Sequence, residues 1–406
     1  MRIEDTDQER SKQEYLDEIL DSMRWLGLEW DELYKQSERF DVYREHAHQL
    51  VDSGAAYEED GAIIFKTPKQ EVKFFDIIRG EVVFDTANFV RRDVDGKNIV
   101  DELGSAVLKD EVLIKADGSP AYNFCCVVDD ALMDISHVIR GEDHIPNTPK
   151  QILMYLALGF KVPKFAHLPM ILDEQGGKMS KRTGAVAVTE YRKMGFLPEA
   201  LVNYLMLLGW SPGGDVEVMR LEAAIKKFSV KKINKSAAAF SMDKLRWMNS
   251  QHLKEKDEKS LADFILPFLV ERGWVKEGLD RKWLEDVVKL YKSRMADIQE
   301  FLDRTQYLFV DELVVDEGLK EKNFQSDIVQ YFVELAECLN NVGDFSYENV
   351  ELAFRQFAEE KGLKVSDLVH PVRVALTASD IGPGLFETIS VLGREKTVKR
   401  LKDVAE

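Results

Sequence analysis

The stretch Gly177-Lys178-Met179-Ser180-Lys181-Arg182-Thr183 sets two lysines and an arginine around one serine, behind the glycine pair Gly176 and Gly177. Lysine ammonium groups are flexible point charges suited to phosphate oxygens, and glycine lets the backbone approach a ligand closely and swing. Such a loop can grip a triphosphate. Read alone it divides evenly between a nucleotide site and a solvated basic loop. Two other stretches carry charged groups at the end of an apolar run, Val138-Ile139-Arg140-Gly141-Glu142-Asp143-His144 and Arg2-Ile3-Glu4-Asp5-Thr6-Asp7. For Arg140 the plain alternative is a surface salt bridge with Glu142 or Asp143. A third cluster, Lys226, Lys227, Lys231, Lys232 and Lys235, has Ser229, Asn234 and Ser236 as further hydrogen-bond donors. Composition alone reads that cluster as a solvated face.

Ligands in open α/β sheets bind where strand ends deliver groups of this kind, so strands must stand behind these residues. An apolar run over 165–172 predicts the strand before the lysine loop, and residues 2–5 read as another strand end. Tyr15, Ile19, Leu20, Met23 and Leu26 at helical spacing predict a helix over 7–28 that stops at Gly27; a second covers 43–53 and closes at Gly54. From there to Gly118 the pattern turns to short alternating runs around Ile63, Val82 and Leu113, bounded by Gly, Pro or Asp, which predicts a small insertion apart from the main sheet. The continuous apolar run 121–128 reads as a strand buried on both faces and ended by Asp129-Asp130; 137–140 reads as another, and 148–159 as a helix opened by Pro149. Alternating strands and helices give a doubly wound fold. Past the lysine loop the chain is helical, over 198–209, 221–228 and onward, with 326–339 presenting Ile328, Phe332, Leu335 and Leu339 to a core.

The 406 residues and 45% hydrophobic content suit about two to four globular domains. No apolar run is long enough for a membrane span and the acidic, arginine-bearing start is no signal peptide, so a cytoplasmic protein is expected. Cys125, Cys126 and Cys338 form no Cys-x-x-Cys pair and read as small hydrophobes, with neither disulfide nor zinc expected. A net charge of −18 excludes indiscriminate coating of nucleic acid and confines any such contact to local patches.

In order along the chain, Arg2 to Asp7, Tyr122-Asn123-Phe124, Val127-Val128-Asp129-Asp130, Val138 to Asp143, Lys178 to Arg182, Phe228-Ser229, Asn234-Lys235-Ser236 and His370-Pro371-Val372-Arg373-Val374-Ala375-Leu376-Thr377 resemble the class I aminoacyl-tRNA synthetases of the bacterial glutamyl type. The resemblance implies an α/β Rossmann-like catalytic domain over 1–185 with a small α/β insertion at about 62–117. It further implies a helical stem-contact region over 186–257 and an all-α anticodon-binding domain over 258–406, with a split near 330. It implies activation of L-glutamate by ATP with Mg²⁺ on the phosphates, transfer to tRNA(Glu), and a monomer. Lys181, Lys178 and Ser180 take the catalytic roles at the leaving pyrophosphate; Lys178, Met179, Ser180, Lys181, Arg182 and Asp143, or its neighbour His144, meet ATP. Glu4, Tyr122, Cys126 and Arg140 hold glutamate. A guanidinium best tells the γ-carboxylate from an amide, since its bidentate fork would leave one donor facing an NH₂ group. Lys226, Lys227, Lys231, Lys232 and Lys235 touch tRNA. The nearest enzymatic alternative, glutaminyl-tRNA synthetase, carries β-barrels where this chain predicts helices; the other is a tRNA-binding protein without catalysis. The family's first strand, with its His-Ile-Gly-His-like signature for ATP, lies upstream of where this sequence starts, so little activation is expected of the chain as given. The insertion lacks the cysteines that bind zinc in some relatives, and Gln251-His252-Leu253 stands where many carry His-Tyr-Ile.

Overall fold

Apolar periodicity sets most elements of this chain, and the computed structural model describes residues 1–7, 11–86, 90–92, 98–99, 109–177, 179, 187–275 and 279–405. They form two compact units: Met1–Tyr191 with Pro198–Leu245, and Arg192–Leu197 with Arg246–Glu406.

The first unit begins with β1 (Arg2–Ile3), α1 (Gln13–Trp25), β2 (Tyr34–Lys35) and α2 (Phe40–Asp52). In α2, Tyr43, Ala47 and Leu50 are buried on one face, and the chain leaves the helix through Gly54, whose φ of +77° suits a residue without Cβ. The apolar stripe of α1 stays partly open, with Tyr15 49% and Ile19 52% exposed. Next come β3 (Ala56–Glu59), β4 (Ala62–Phe65), β5 (Glu71–Asp76), β6 (Gly80–Asp85), β7 (Val90–Arg92), β8 (Asn98–Ile99), β9 (Glu111–Ile114) and α3 (Tyr122–Leu132). They are followed by β10 (His137–Gly141), α4 (Thr148–Ala157), β11 (Lys164–Leu168), β12 (Ile171–Leu172), α5 (Val188–Lys193), α6 (Pro198–Gly209), α7 (Leu221–Lys227) and β13 (Ala238–Ala239); α5 ends in the second unit, and α8 (Met242–Glu255) passes from the first unit into the second after Leu245.

The main sheet has the order β10-β11-β5-β6-β7-β8, and β10, α4 and β11 make a βαβ unit in which the two strands run parallel from His137↔Lys164 to Gly141↔Leu168. β3, β4 and β9 form a separate antiparallel sheet. Beneath these lies a core of Tyr43, Phe65, Leu113, Phe124, Met154 and Phe165.

Four local expectations need correction. The run 121–128 is not a strand: it forms α3, in which Phe124 through Asp130 are all buried. A helix packed on every side shows the same unbroken apolar run as a buried strand, and periodicity cannot separate the two. The alternating runs are also not wholly apart from the main sheet, because β5 joins β11 in parallel at Phe165↔Asp76 and brings β6 with it. The apolar run 165–172 breaks into β11 and β12 at Pro169, which has no N–H to give a ladder, and the following Met170 N–H goes to Glu142 instead. Finally, 326–339 is interrupted at Gln330–Tyr331 and gives two helices rather than one.

The second unit is helical: α9 (Glu258–Glu271), α10 (Arg281–Tyr291), α11 (Ile298–Phe309), α12 (Glu317–Asn323), α13 (Ser326–Val329), α14 (Phe332–Asn340), α15 (Tyr347–Glu360), α16 (Val365–Thr377), α17 (Leu385–Leu392) and α18 (Arg394–Ala405). Asp257, Asp280, Asp297 and Asp316 cap α9 to α12 by accepting backbone N–H groups that have no partner within the helix. At the other end, buried Arg400 donates to the carbonyls of Leu376, Tyr307 and Val310, closing the last turns of α16 and α11.

Candidate active site

Beside β1 and β10 the first unit opens a cavity of about 800 Å³ whose walls include Arg2, Glu4, Tyr122, Cys126, Asp130, Arg140 and His144. Because α3 is a helix, Tyr122 and Cys126 stand one turn apart on the same face, so both reach this cavity. All four residues assigned to glutamate from sequence therefore line one space.

Arg140 makes no ion pair among the described residues. Its Nη2 donates to Thr148 Oγ1 and to Gln151 Oε1, each at 2.8 Å, its Nε donates to His167 Nε2 at 3.3 Å, and the guanidinium lies over the Phe165 ring. Every one of these acceptors is neutral. The carboxylates that could have neutralised it are occupied or turned away: Glu142 pairs with Arg79 and accepts the Met170 N–H, while Asp143 is exposed.

In the same cavity, Arg2 bridges two carboxylates, donating to Asp130 at 2.6 Å and to Glu4 at 3.0 Å. Burial pulls its pKa down, but Asp130 and Glu4 hold it above the ordinary guanidinium value. Asp129, fully buried, accepts from Gln36 at 3.1 Å, Arg39 at 3.0 Å and Tyr43 at 2.8 Å, so the acidic pair is fastened inside the fold rather than ending an element in solvent. Cys126 donates its thiol to Glu4 at 3.5 Å; burial, and then the nearby Glu4 charge, push that thiol up and keep it protonated. Burial, Cys126 and Glu4 likewise raise the Tyr122 hydroxyl, which stays a donor. Glu4 thus presents a carboxylate braced on one side.

Lys178, Ser180, Lys181 and Arg182 lie outside the described residues. The turn that feeds them is described: Asp173, 8% exposed, accepts the N–H groups of Gln175 at 3.0 Å and Gly177 at 2.8 Å, with Gly176 at a φ of +84°. Met179 N–H returns to Ile171 O at 3.3 Å, and β12 is held by parallel pairing to β13. Of the two groups considered for adenosine, His144 lines the cavity, with its ring 6.0 Å from that of Tyr122, and Asp143 does not. Lys226, Lys227, Lys231, Lys232 and Lys235 are all exposed, at the end of α7 and in the turn that follows it; Lys232 also donates to Pro212 O at 3.0 Å. Beside them Ile225 and Phe228 are 65% and 51% exposed.

Sequence reasoning missed Arg2, which braces Glu4, and Asp76, His167, Thr148 and Gln151 around Arg140. A charged residue two before Glu4 could have suggested the first; no spacing links Asp76 to His167, which is 91 residues away. In the second unit a cavity of about 710 Å³ is lined by Tyr291, Arg304, Tyr307, Arg373 and the 381–383 loop, among others. Burial lowers the pKa of Arg373, whose Nη1 donates to Pro383 O at 2.6 Å. No group of three or more His, Cys, Asp or Glu side chains among the described residues is placed to hold a metal ion.

A parallel βαβ unit carrying Arg140, a separate short strand pair β1-β2 leading to Glu4, and a helical unit beyond them fit the class I aminoacyl-tRNA synthetases. The family model for the catalytic domain of class I tRNA synthetases (E and Q) matches residues 1–63 and 58–247, and that for an anticodon binding domain matches 260–405. The chain is 38% identical to the glutamate–tRNA ligase of Thermodesulfovibrio yellowstonii, over 100% of this chain and 92% of that protein, and 40% identical to that of Geobacter sulfurreducens, over 99% and 90%. Its fold matches a crystal structure of a glutamate tRNA ligase from Elizabethkingia meningosepticum in complex with its amino acid, with a TM-score of 0.83 at 27% identity, over 100% of this chain and 91% of that one. The chain belongs to the glutamate–tRNA ligases.

Proposed function

We propose that this protein joins L-glutamate to tRNA(Glu) in two steps: glutamate and ATP give glutamyl-adenylate and pyrophosphate, and the terminal ribose of the tRNA then takes the glutamyl group. The observation that carries the residue assignments is the cavity that Arg140, in no ion pair among the described residues, lines together with Glu4, Tyr122 and Cys126. In this reading Arg140 meets the side-chain carboxylate of the amino acid, Glu4 the α-ammonium, and the Tyr122 hydroxyl lies beside it. Cys126 braces Glu4 through its thiol.

Lys181 and Lys178 are assigned to the charge that builds on the leaving pyrophosphate, with Ser180, Met179 and Arg182 ordering their loop. The protein's share of phosphoryl chemistry is chiefly positioning and cationic stabilisation. Mg²⁺ is assigned to the triphosphate as part of the substrate, since the described residues hold no cluster of acids for a resident ion. Lys226 to Lys235 are assigned to the acceptor side of the tRNA, and the helical unit to its anticodon. The setting proposed is cytoplasmic translation, with the protein a monomer.

Titration calorimetry with L-glutamate tests the central assignment. Arg140→Gln should weaken glutamate binding by about 3 kcal/mol, more than a hundredfold, because it removes a charge-assisted contact and leaves a carboxylate unmatched. Binding of L-glutamate unchanged in that variant would sink the assignment.

A further inference from the structure

We propose that Asp76 and His167 are a positioning pair for Arg140: they hold the imidazole in the one tautomer that can accept from the guanidinium, and so direct its remaining donors to the amino acid's side-chain carboxylate. The proposal rests on the reading of Arg140 given above and adds two residues to it.

Asp76 is the last residue of β5 and is fully buried. It accepts the backbone N–H groups of Ile78 at 2.9 Å, Arg79 at 2.8 Å and His167 at 3.0 Å, and its Oδ2 lies 2.7 Å from His167 Nδ1. Burial pushes its pKa upward, but the hydrogen bonds from His167, Arg79 and Ile78 outweigh this and leave it below the usual carboxylate value. An ionised carboxylate only accepts, so the proton between the two belongs to Nδ1. A neutral imidazole has one N–H, and Nε2 is then a lone pair.

That lone pair is met by Thr148 Oγ1 at 3.1 Å and Arg140 Nε at 3.3 Å. Arg140 Nε has nothing to do but donate, and in the other tautomer two donors would oppose each other. Phe165 stacks on the fully buried His167 ring at 6.2 Å, which fixes its plane. Gln151 is oriented in the same manner: its Nε2 donates to Asn123 Oδ1 at 3.2 Å, which turns its Oε1 toward Arg140. Three of the five guanidinium donors are thereby used by neutral acceptors, and the pair on Nη1 has no partner among the described residues. A carboxylate placed directly against Arg140 would orient it equally well but would compete with the ligand for its charge. Asp76 acts from behind an imidazole and does not.

The competing role is a staple between β5 and β11, whose backbone pairing is limited to Phe165↔Asp76. Nitrogen NMR of histidine- and arginine-labelled protein separates the two. The wild-type protein should give the Nδ1–H form of His167 and an Arg140 Nε–H protected from exchange. Asp76→Asn keeps an oxygen for the Ile78 and Arg79 N–H groups but places an NH₂ against Nδ1. The ring should switch to Nε2–H, Arg140 Nε–H should lose its protection, and the glutamate Kd should rise roughly tenfold, with a similar fall in preference for L-glutamate over L-glutamine. A wild-type His167 protonated on Nε2 overturns the proposal whether or not the variant folds. So does a variant that switches tautomer yet keeps affinity and preference, which is the result a staple would give. If instead Arg140→Gln leaves glutamate binding unchanged, the role of Arg140 fails, and protection of its Nε–H still decides whether the pair positions it.

Discussion

A guanidinium held only by neutral groups keeps its charge for whatever enters, and Arg140 is held in that way by Thr148, Gln151 and His167. The cost of the arrangement is carried by Asp76, a buried carboxylate whose ionisation is coupled to folding. Its folded pKa is lowered, so its contribution to stability is fully present above the unfolded value of about 4 and is lost as pH falls through the folded value. In urea unfolding, the stability gap between the protein and Asp76→Asn should be widest near pH 7 and narrow below about pH 4; a gap that widened with acid would mean that burial, not hydrogen bonding, dominates at Asp76. At this scale Arg140 and Glu4 were legible as candidates because each ends an apolar run in a charged group, and both line the one cavity. His167 was not, since a lone histidine in an apolar strand most often satisfies a core, and its partner comes from a strand 91 residues away.

Among elements, the legible ones were those with a period or a stop. The short run read around Ile63 and the helix read over 198–209 coincide with β4 and α6, and α2 closes at the glycine foreseen for it. What pattern could not supply was the partner of a strand or the type of an element with no exposed face. α3 is the instructive case: with Phe124 through Asp130 all buried, apolar on every side, it has no polar stripe to reveal its turn. Its identity matters to the site, because a strand would have sent Cys125 and Cys126 to opposite faces and set Tyr122 and Cys126 at opposite ends. Asp129 and Asp130 likewise read as the end of an element but are its interior, made tolerable by Arg2, Arg39, Tyr43 and Tyr155. The segment after α7 carries its own prediction. Replacing Lys231 and Lys232 with Ala should lower the salt slope of tRNA binding by about two, with little change in preference among tRNAs, since phosphate contacts release counterions without reading bases. Filter binding across a salt series measures this, and an unchanged slope would return those lysines to the solvated face they resemble in composition.

At the scale of the molecule, a net charge of −18 and a polyanionic partner are compatible only if contacts are concentrated. We propose one such place in the helical unit, the cavity with Arg304, Arg373, Tyr291 and Tyr307, in the region matched by the anticodon binding domain. Unstacked bases are read by guanidinium planes and edge hydrogen bonds as well as by aromatic stacking; exposed Arg304 can supply the first two, while Tyr291 and Tyr307, 3% and 5% exposed and bonded to each other, offer no open ring face. Arg304 has an exposed pairing with Glu300, worth at most about 1 kcal/mol, so Arg304→Ala should leave thermal stability nearly unchanged. The same variant should weaken binding of glutamate tRNA and blunt discrimination against tRNAs with altered anticodons, while L-glutamate titration stays as it was. Discrimination preserved in full would remove this cavity from tRNA recognition.

The six residues Arg192–Leu197 belong to the helical unit although the chain on both sides of them belongs to the other. Leu197 N–H donates to Asn249 Oδ1 at 2.9 Å, and Gln299 donates to Lys193 O at 3.3 Å. During synthesis Lys193 and Leu197 leave the ribosome before Gln299 and Asn249, to which they are bonded, have been made. Asn249 is added 52 residues after Leu197, on the order of several seconds later at ordinary elongation rates. For that interval Leu197, fully buried in the finished protein beside the 2% exposed Phe196, waits for Asn249. The nascent chain therefore carries a short apolar stretch between the two parts of the first unit, a segment for a chaperone to hold or a protease to cut until the helices arrive.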